Sequence, residues 1–457
     1  MSETKKGHPP GLYLLFATEM WERFSYYGMR GLLMLYLTKA AIEGGLGFED
    51  GDAGLIYGIY TGLVYLTPIF GGWLADNYLG QRKSITIGGI TMALGQFALF
   101  FSSQENIGMF YAGLVLLIIG NGFFKPNIST VVGQLYPPGD SRKDSAFTIF
   151  YMGINLGAFL APLVCGTLAE DTFAVKDAAG NITSYGFNYG FLAAGIGMVL
   201  GQLMFNLLGQ KYLGDLGVEA GAKQSKAEAA VQPPMTKEEK NRLTVIIIMM
   251  LFNIFFWAGF EQAGSSISLY TDRYIDRHVD FLDWTIPTSF FQSVNPLFIV
   301  LLGPVFTLLW MRLGSRGKEP NTIVKMALGM ILLGVGFFFM IGAGVARGGD
   351  DAPDTAKAGL MWLVGTYLIH TMGELCLSPI GLSMVTKLAP LRLGSLMMGV
   401  WFLSSFVANF LSGYLVQFFG KMGAMTIFGL IALIVIVLGI VILLLSKKLL
   451  QMMHGVK

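Results

Sequence analysis

Seven ionisable side chains lie inside long apolar stretches of the sequence, where a charge has a high energetic cost. At the centre of a bilayer one ionised side chain costs about 2.5 to 3.5 kcal/mol even on a lenient insertion scale, so each needs a physical reason. Four of the seven are acids and three are bases, which indicates mutual pairing. Because a carboxylate that binds a proton releases its cationic partner, such pairs suit proton-dependent exchange of ionic contacts. The residues are Glu19, Glu22, Arg23, Arg30, Lys125, Glu261 and Glu374.

The first apolar stretch carries its polar residues on a single helical face. They recur at i, i+3, i+4, i+7 and i+11, which stacks them along one side of a helix. Exposure of this polar face to lipid would cost on the order of 10 kcal/mol. We therefore expect the face to line a water-accessible cavity between the two halves of the protein. A static ion-pair network that fixes helix packing is the alternative. The residues are Glu19, Glu22, Arg23, Tyr26 and Arg30.

The composition places these residues in a membrane protein. Hydrophobic residues make up 54% of the 457 positions and charged residues 13%, and the mean hydropathy is +0.60. Apolar runs of roughly 20 residues are long enough to cross about 30 Å of hydrocarbon as helices. The pattern predicts an all-α membrane protein with about twelve transmembrane helices. They cover residues 12–38, 53–74, 84–101, 109–135, 146–168, 189–208, 243–270, 286–311, 323–346, 360–388, 395–419 and 425–445.

The second half of the chain repeats the pattern of the first. We therefore predict two pseudo-symmetric six-helix bundles, residues 1–208 and 243–457. Residues 209–242 are rich in charges and contain Pro233 and Pro234, so they are predicted to form a cytoplasmic linker.

Loop charges predict the orientation. Lys and Arg concentrate in alternate loops, on the side that holds the N-terminus, and this side is therefore cytoplasmic. The first apolar stretch is too charged for a cleavable signal, so we expect a multi-pass protein of the cytoplasmic (inner) membrane with both termini in the cytoplasm. Topology explains the cations, and the net charge of +2 gives no indication of a nucleic-acid partner.

Three prolines follow polar residues inside predicted helices. Kinks at Pro126, Pro296 and Pro379 would allow these helices to gate, although helix irregularity is common in membrane bundles.

No paired-histidine metal site, paired-aspartate site or nucleophile with a base is evident, so we expect no metal, no cofactor other than protons, and no enzymatic activity. Cys165 and Cys376 lie in apolar runs and are interpreted as packing residues. A scaffold without transport is a further alternative if the buried charges are inert.

The run E-M-W-E-R-F-S-Y-Y-G at residues 19–28 resembles the E-x-x-E-R-F-x-Y-Y-G signature of proton-dependent oligopeptide transporters, the POT family of the major facilitator superfamily. Further matching motifs lie along nearly the whole chain. They occupy residues 65–68, 123–127, 147–157, 256–262, 292–296 and 373–381.

The resemblance implies a monomeric, proton-coupled symporter that imports di- and tripeptides by alternating access. A family member that moves an amino acid, a nitrate-like anion or a drug is the alternative. Arg30 and Lys125 would bind the peptide carboxylate, and Glu374, with Asn155 and Asn295, would bind the amine; Ser378 belongs to the same predicted site. Aromatic residues would shape side-chain pockets, although core packing explains each of them equally well. These are Tyr26, Tyr27, Tyr65, Trp257 and Trp401.

Proton coupling is assigned to buried carboxylates and their partners. Ion pairs between the halves, such as Arg30 with Glu261 and Lys125 with Glu374, would stabilise one gate state. The loop at residues 71–83 resembles a conserved cytoplasmic loop of the superfamily, in which Asp76 would hold a gate. The coupling residues are Glu19, Glu22, Arg23, Glu261 and Glu374.

Two features depart from the family pattern. Residues 209–242 are too polar and too short for the extra helical hairpin found in many bacterial members. The histidine on the second helix of eukaryotic members has no counterpart, so coupling must depend on carboxylates. His370 lies one turn before Glu374 and is open to two interpretations, a structural hydrogen bond or a proton relay.

Overall fold

The computed structural model of the protein is built from long helices and two short hairpins. Its chain divides into two compact units, one formed by Met1–Gly47 with Leu63–Ala229 and the other by Phe48–Gly62 with Ala230–Lys457. The structure describes residues 7–137, 139–178, 180–220, 235–390 and 393–455, apart from the side chains at positions 378–383, 386, 394 and 395.

Six long helices occupy the first half of the chain, as predicted. In the first unit α1 packs on α5 and α6, and α3 packs on α4 and α6. Tyr36 lies in this core, surrounded by the rings of Phe110, Phe187 and Phe191. The helices are α1 (Pro10–Thr38), α2 (Asp50–Leu74), α3 (Gln81–Phe100), α4 (Ile107–Gln134), α5 (Lys143–Thr167) and α6 (Phe187–Leu213).

The second half contains the six predicted helices, of which the first is divided into α7 and α8, and one additional short helix, α13. In this unit α10 packs on α11 and α14, and α7 packs on α12. The rings of Phe337, Phe428 and Tyr270 meet in the core. The helices are α7 (Lys237–Phe260), α8 (Ser266–Tyr274), α9 (Val294–Gly314), α10 (Thr322–Ala346), α11 (Leu360–Leu388), α12 (Gly394–Leu415), α13 (Phe419–Met422) and α14 (Ala424–Met452).

Two hairpins connect helices outside these long segments. Strands β1 (Val175–Lys176) and β2 (Ile182–Ser184) pair in antiparallel fashion between α5 and α6. Strands β3 (His278–Val279) and β4 (Trp284–Thr285) pair in the same way between α8 and α9.

Ten helical stretches in the described part of the chain are long and apolar enough to cross a membrane. Two long helices are less apolar than these ten. They are α1, which carries the buried charges, and α3, which contains several glycine and polar residues. With 29 residues, α1 is nevertheless about 43 Å long, more than the thickness of a bilayer core.

The seventh predicted helix is not continuous, which corrects the sequence prediction. Helix α7 ends at Phe260, a 3₁₀ turn covers Glu261–Gly264, and α8 begins at Ser266. The break is stabilised by a side chain, since Gln292 Nε2 donates to the Ala263 carbonyl at 2.5 Å. Glu261 therefore lies in a helix break and not within a regular helix.

The proline positions also differ from the prediction. A 3₁₀ segment at Thr288–Ser293 precedes α9, so Pro296 lies in the first turn of α9, where a missing N–H breaks no helical hydrogen bond. The prediction that Pro296 kinks the interior of a helix is therefore wrong. Pro126 lies inside α4, as expected, and other interior prolines are Pro68, Pro162 and Pro304.

Both ends of the predicted linker are helical. Helix α6 continues to Leu213, and α7 begins at Lys237. Thr236 caps α7, because its hydroxyl accepts from the Glu239 backbone N–H at 3.2 Å. Residues 221–234, with Pro233 and Pro234, lie outside the described part of the chain.

Candidate functional site

The charged face of α1 is buried inside the first unit. Glu19, Glu22 and Arg23 are 1%, 0% and 3% exposed. A charge in such a position is tolerated only when it is paired and hydrogen-bonded. Their burial agrees with the expectation that these side chains avoid lipid, whereas the water-accessible cavity expected along this face stays a prediction.

Arg23 joins the two carboxylates of α1. Its guanidinium donates to both oxygens of Glu22, from Nε to Oε2 and from Nη2 to Oε1, the latter at 2.6 Å. Its Nε also lies 3.4 Å from Glu19 Oε1. Glu22 is thus held at both oxygens in bidentate geometry, whereas Glu19 Oε2 is buried without a hydrogen-bond partner among the described residues. Glu19 is therefore the less firmly held of the two acids.

Helix α4 completes this cluster with an amide and an ammonium group. Asn121 Nδ2 donates to Glu22 Oε1 at 3.2 Å, and the Asn121 side chain is itself buried. Lys125, one turn further along α4, interacts electrostatically with Glu19, Glu22 and Arg23. Two acids and two bases therefore interact, and their formal charges cancel. We call Glu19, Glu22, Arg23, Asn121 and Lys125 the α1–α4 cluster.

Glycines bring α5 against the α1–α4 cluster. At Gly157 a side chain would approach Arg23 Cβ to 2.9 Å, and at Gly153, one turn earlier, it would approach Phe16. The Met-Gly-Ile-Asn-Leu-Gly sequence at residues 152–157 thus provides a smooth surface on which α1 packs closely.

The interior proline of α4 has a structural counterpart on α2. Because Pro126 lacks an N–H, the carbonyl of Gly122 has no helical donor. Gly71 of α2 lies directly against this carbonyl, and Thr67 Oγ1 donates to the Ile118 carbonyl at 3.0 Å. Helix α2 thus contacts α4 at the proline that follows Lys125.

Aromatic rings accompany the cations of α1. The Arg23 guanidinium carbon lies 5.1 Å from the centre of the Tyr26 ring, and that of Arg30 lies 5.8 Å from the Tyr27 ring. The two tyrosine rings meet edge to face at 5.1 Å. Such cation–π contacts stabilise a partly desolvated charge by about 0.5 to 2 kcal/mol.

In the second unit Glu374 and Asn295 are in direct contact. Asn295 Nδ2 donates to Glu374 Oε2 at 2.8 Å and to Thr371 Oγ1 at 3.0 Å. The first turn of α9 presents Asn295, and α11 presents both acceptors one turn apart. Glu374 is 8% exposed, and within its own unit the described residues provide no cation within 4 Å. Ser378 and Pro379 belong to the same helix, but their side chains lie outside the described part of the chain.

Glu261 is buried in the same unit, where it interacts electrostatically with Glu374. His370 is also buried, but it makes no hydrogen bond with Glu374 among the described residues. Its ring lies 4.7 Å from that of Phe337 and hydrogen-bonds the Leu333 backbone carbonyl. This geometry favours the structural interpretation of His370.

Asn253 lies near both predicted tryptophans of the second unit. Trp257 Nε1 donates to Asn253 Oδ1 at 3.0 Å, and its ring packs edge to face against Phe260. Trp401 and Asn253 both line a small apolar cavity of about 10 Å³, together with Leu377. Asn253 thereby fixes the orientation of the Trp257 indole.

Three further predicted residues lie on α5, on α2 and in the turn after α2. Asn155 Nδ2 donates to the Tyr151 carbonyl of its own helix at 3.0 Å. Asp76 is exposed in a π-helical turn and accepts from Gln81 Nε2 at 3.0 Å. Tyr65 is half-buried on α2. The hydrogen bonds of Asn155 and Asp76 are thus to residues nearby in the sequence.

Sequence reasoning missed three polar residues that contact the predicted ones. Each lies one helical turn before a predicted site residue, Asn121 four positions before Lys125, Thr371 three before Glu374 and Asn253 four before Trp257. That spacing is the signal that could have identified them. No group of three metal-ligating side chains occurs in the described part of the chain.

Comparison with known proteins gives the class of the molecule. The chain matches the family model PTR2, the POT family, over residues 82–213 and 208–431. It is 38% identical to the uncharacterized transporter YclF of Bacillus subtilis, with 98% of this chain and 96% of that protein covered. It is 33% identical to a di-/tripeptide transporter of Lactococcus lactis subsp. cremoris, with 100% and 99% covered.

A solved structure agrees with these relatives. A mutant of peptide transporter POT in complex with alafosfalin is similar with a TM-score of 0.87 and 35% identity, covering 99% of this chain and 97% of that one. The chain therefore belongs to the POT family and is a multi-span membrane transporter. The predicted all-helical membrane fold and the family resemblance are confirmed.

Proposed function

We propose that the chain is a symporter that imports di- and tripeptides with protons across the cytoplasmic membrane by alternating access. The observation that carries this proposal is the α1–α4 cluster, in which Arg23 contacts two buried acids and Lys125 interacts with them electrostatically. A membrane protein retains such charges at a high energetic cost, and ion pathways are their usual role. Di-/tripeptide transport by the Lactococcus relative supports the choice of substrate.

Each end of a zwitterionic peptide has a suitable partner in the two units. Arg30 and Lys125 provide cations for the carboxylate, and Glu374, with Asn155 and Asn295, provides acceptors for the amine. Because Glu374 is held by the neutral amide of Asn295, a peptide ammonium group would be its counter-charge. Recognition of both ends leaves the peptide side chains to loosely shaped aromatic pockets.

Protons would enter through the carboxylates of α1. When Glu19 or Glu22 binds a proton, its attraction to Arg23 and Lys125 weakens, and Lys125 becomes available to the peptide carboxylate. Each proton that moves down an inside-negative potential supplies about 2.3 kcal/mol per 100 mV. The proposal needs no cofactor other than protons, no enzymatic step and no second subunit, and it places both termini in the cytoplasm.

The test is uptake of dialanine by proteoliposomes with an imposed proton gradient. We expect accumulation that an uncoupler abolishes and that unlabelled dipeptides compete for. Free alanine and nitrate should not compete, and competition by either in place of dipeptides would replace the substrate assignment. Arg30→Ala and Lys125→Ala should each abolish accumulation. Full uptake by both variants would contradict a role of the buried charges in transport.

A further inference from the structure

A groove between α3 and α6 contains a cavity of about 440 Å³ at one end of the first unit. Two adjacent cations, Arg82 and Lys83, line it, together with Thr86 and Asn206. None of these residues belongs to the α1–α4 cluster.

Arg82 is held rigidly in this cavity. Its Nη1 donates to the Gly214 carbonyl at 2.6 Å and to Gln210 Oε1 at 3.1 Å, and its backbone N–H donates to the Gly217 carbonyl at 2.8 Å. These acceptors are neutral, so the positive charge of Arg82 is oriented without being cancelled. A guanidinium fixed in this way is well suited to bind a phosphate.

Lys83 adds a second charge that no nearby acid neutralises. It is exposed, and the described residues provide it with no ion pair or hydrogen bond. The carboxylate of Asp215 accepts a hydrogen bond from Gln210 Nε2, with its Oδ1 at 3.4 Å. The cavity thus combines two positive charges with no acidic side chain among its described lining residues.

An apolar surface continues from the cations along both helices. On α3 an exposed stripe follows Lys83 at i+4, i+7 and i+11, formed by Ile87, Ile90 and Leu94. On α6 the side chain of Leu207, next to the lining residue Asn206 in the sequence, is 76% exposed. Cations at the end of a lipid-facing apolar groove match a phospholipid, with its head group at the cavity and its acyl chains along the stripes.

The two walls of the groove are joined near the cations. Thr86 Oγ1 of α3 donates to Asn206 Oδ1 of α6 at 2.8 Å. This hydrogen bond holds the helices together directly beside the cavity, so the head-group position and the apolar stripes keep a fixed relation to each other.

We propose that the Arg82–Lys83 cavity binds the phosphate head group of an anionic phospholipid, whose acyl chains lie in the groove between α3 and α6. The predicted orientation places this site in the cytoplasmic leaflet. Free inorganic phosphate would not use the apolar stripes, and a zwitterionic lipid would carry an additional cation toward Arg82 and Lys83.

The test is native mass spectrometry of the purified full-length protein with phosphatidylglycerol, cardiolipin or phosphatidylcholine. Lys83→Gln should weaken phosphatidylglycerol binding about fivefold, the effect expected for one cation near an anionic head group. Lys83 makes no structural contact among the described residues, so this variant should fold. Lys448→Gln is the matched control, because Lys448 is an exposed cation beside another lysine at the end of α14.

The expected result is selective loss of anionic lipid from the Lys83 variant, with unchanged binding to the Lys448 variant. Equal losses in both variants, or no loss in either, would overturn the assignment. Equally strong binding of phosphatidylcholine would overturn the requirement for an anionic head group. Displacement of the lipid by millimolar inorganic phosphate would show a free-phosphate site instead. The readout is lipid binding, so it is independent of the peptide uptake that tests the proposed function.

Discussion

The two units hold their buried carboxylates in different ways. In the first unit Glu22 is bound by the guanidinium of Arg23 and by the amide of Asn121. In the second unit Glu374 is bound by the amide of Asn295, and its own unit provides no cation within 4 Å among the described residues. The charge of Glu22 is therefore already neutralised by a cation, whereas Glu374 can still accept a positively charged partner. The difference suggests that protons act at the first site and the peptide amine binds at the second.

The largest expected effect follows from Glu22→Gln. The amide cannot bind a proton as the carboxylate does, so uptake driven by a proton gradient should fall to background. Exchange of labelled for unlabelled dialanine needs no net proton movement and should continue. Both are measured in the same proteoliposomes, with Glu105→Gln, an exposed acid of the first unit, as the control. Retained gradient-driven uptake would remove the distinction between the two sites.

Glu374→Gln should instead weaken peptide binding. A hydrogen bond to a charged group is worth about 1.5 to 3 kcal/mol, so the apparent affinity for dialanine should fall roughly 10- to 100-fold. Wild-type protein should discriminate strongly against N-acetyl-dialanine, which lacks the ammonium group, and the variant should discriminate much less.

Glu319→Gln is the matched control for that experiment, because Glu319 is an exposed acid of the second unit that pairs with Lys325 at 2.5 Å. An unchanged preference for the free amine in Glu374→Gln would show that the peptide amine binds elsewhere.

Sequence patterns predicted the long helices well, because an apolar run of sufficient length has few alternatives in a membrane. They did not predict the break at Glu261–Gly264, where Gln292 satisfies a backbone carbonyl from a distant part of the chain. They also missed Asn121, since a polar residue with no charge carries a weak signal before its partner Glu22 is known. Side chains that act through distant contacts require the three-dimensional structure.

Gly157→Ala tests whether close packing of α5 supports the first site. The new Cβ would clash with the Met20 carbonyl oxygen and lie 2.9 Å from Arg23 Cβ, and such overpacking costs about 1 to 3 kcal/mol. We expect a lower Tm in detergent. Gly108→Ala on α4 is the control, because its Cβ would have no neighbour within 4 Å, and its Tm should be unchanged or slightly higher. Equal Tm values for the two variants would show that α5 can move away from α1 at little cost.

The smallest effect is expected at the half-buried pair Asp140 and Arg142, in the loop between α4 and α5. A hydrogen bond from the Arg142 side chain lowers the pKa of Asp140 to about 2. A carboxylate with a lowered pKa contributes its full share of folding stability at any pH above its ordinary pKa. That share is lost only as the pH falls toward 2. Asp140→Asn should therefore leave the pH profile of dialanine uptake unchanged between about pH 5 and 8, as should the control Asp144→Asn on α5. A shifted profile in Asp140→Asn alone would assign part of the proton dependence to the surface, and would weaken the assignment of protons to the buried carboxylates of α1.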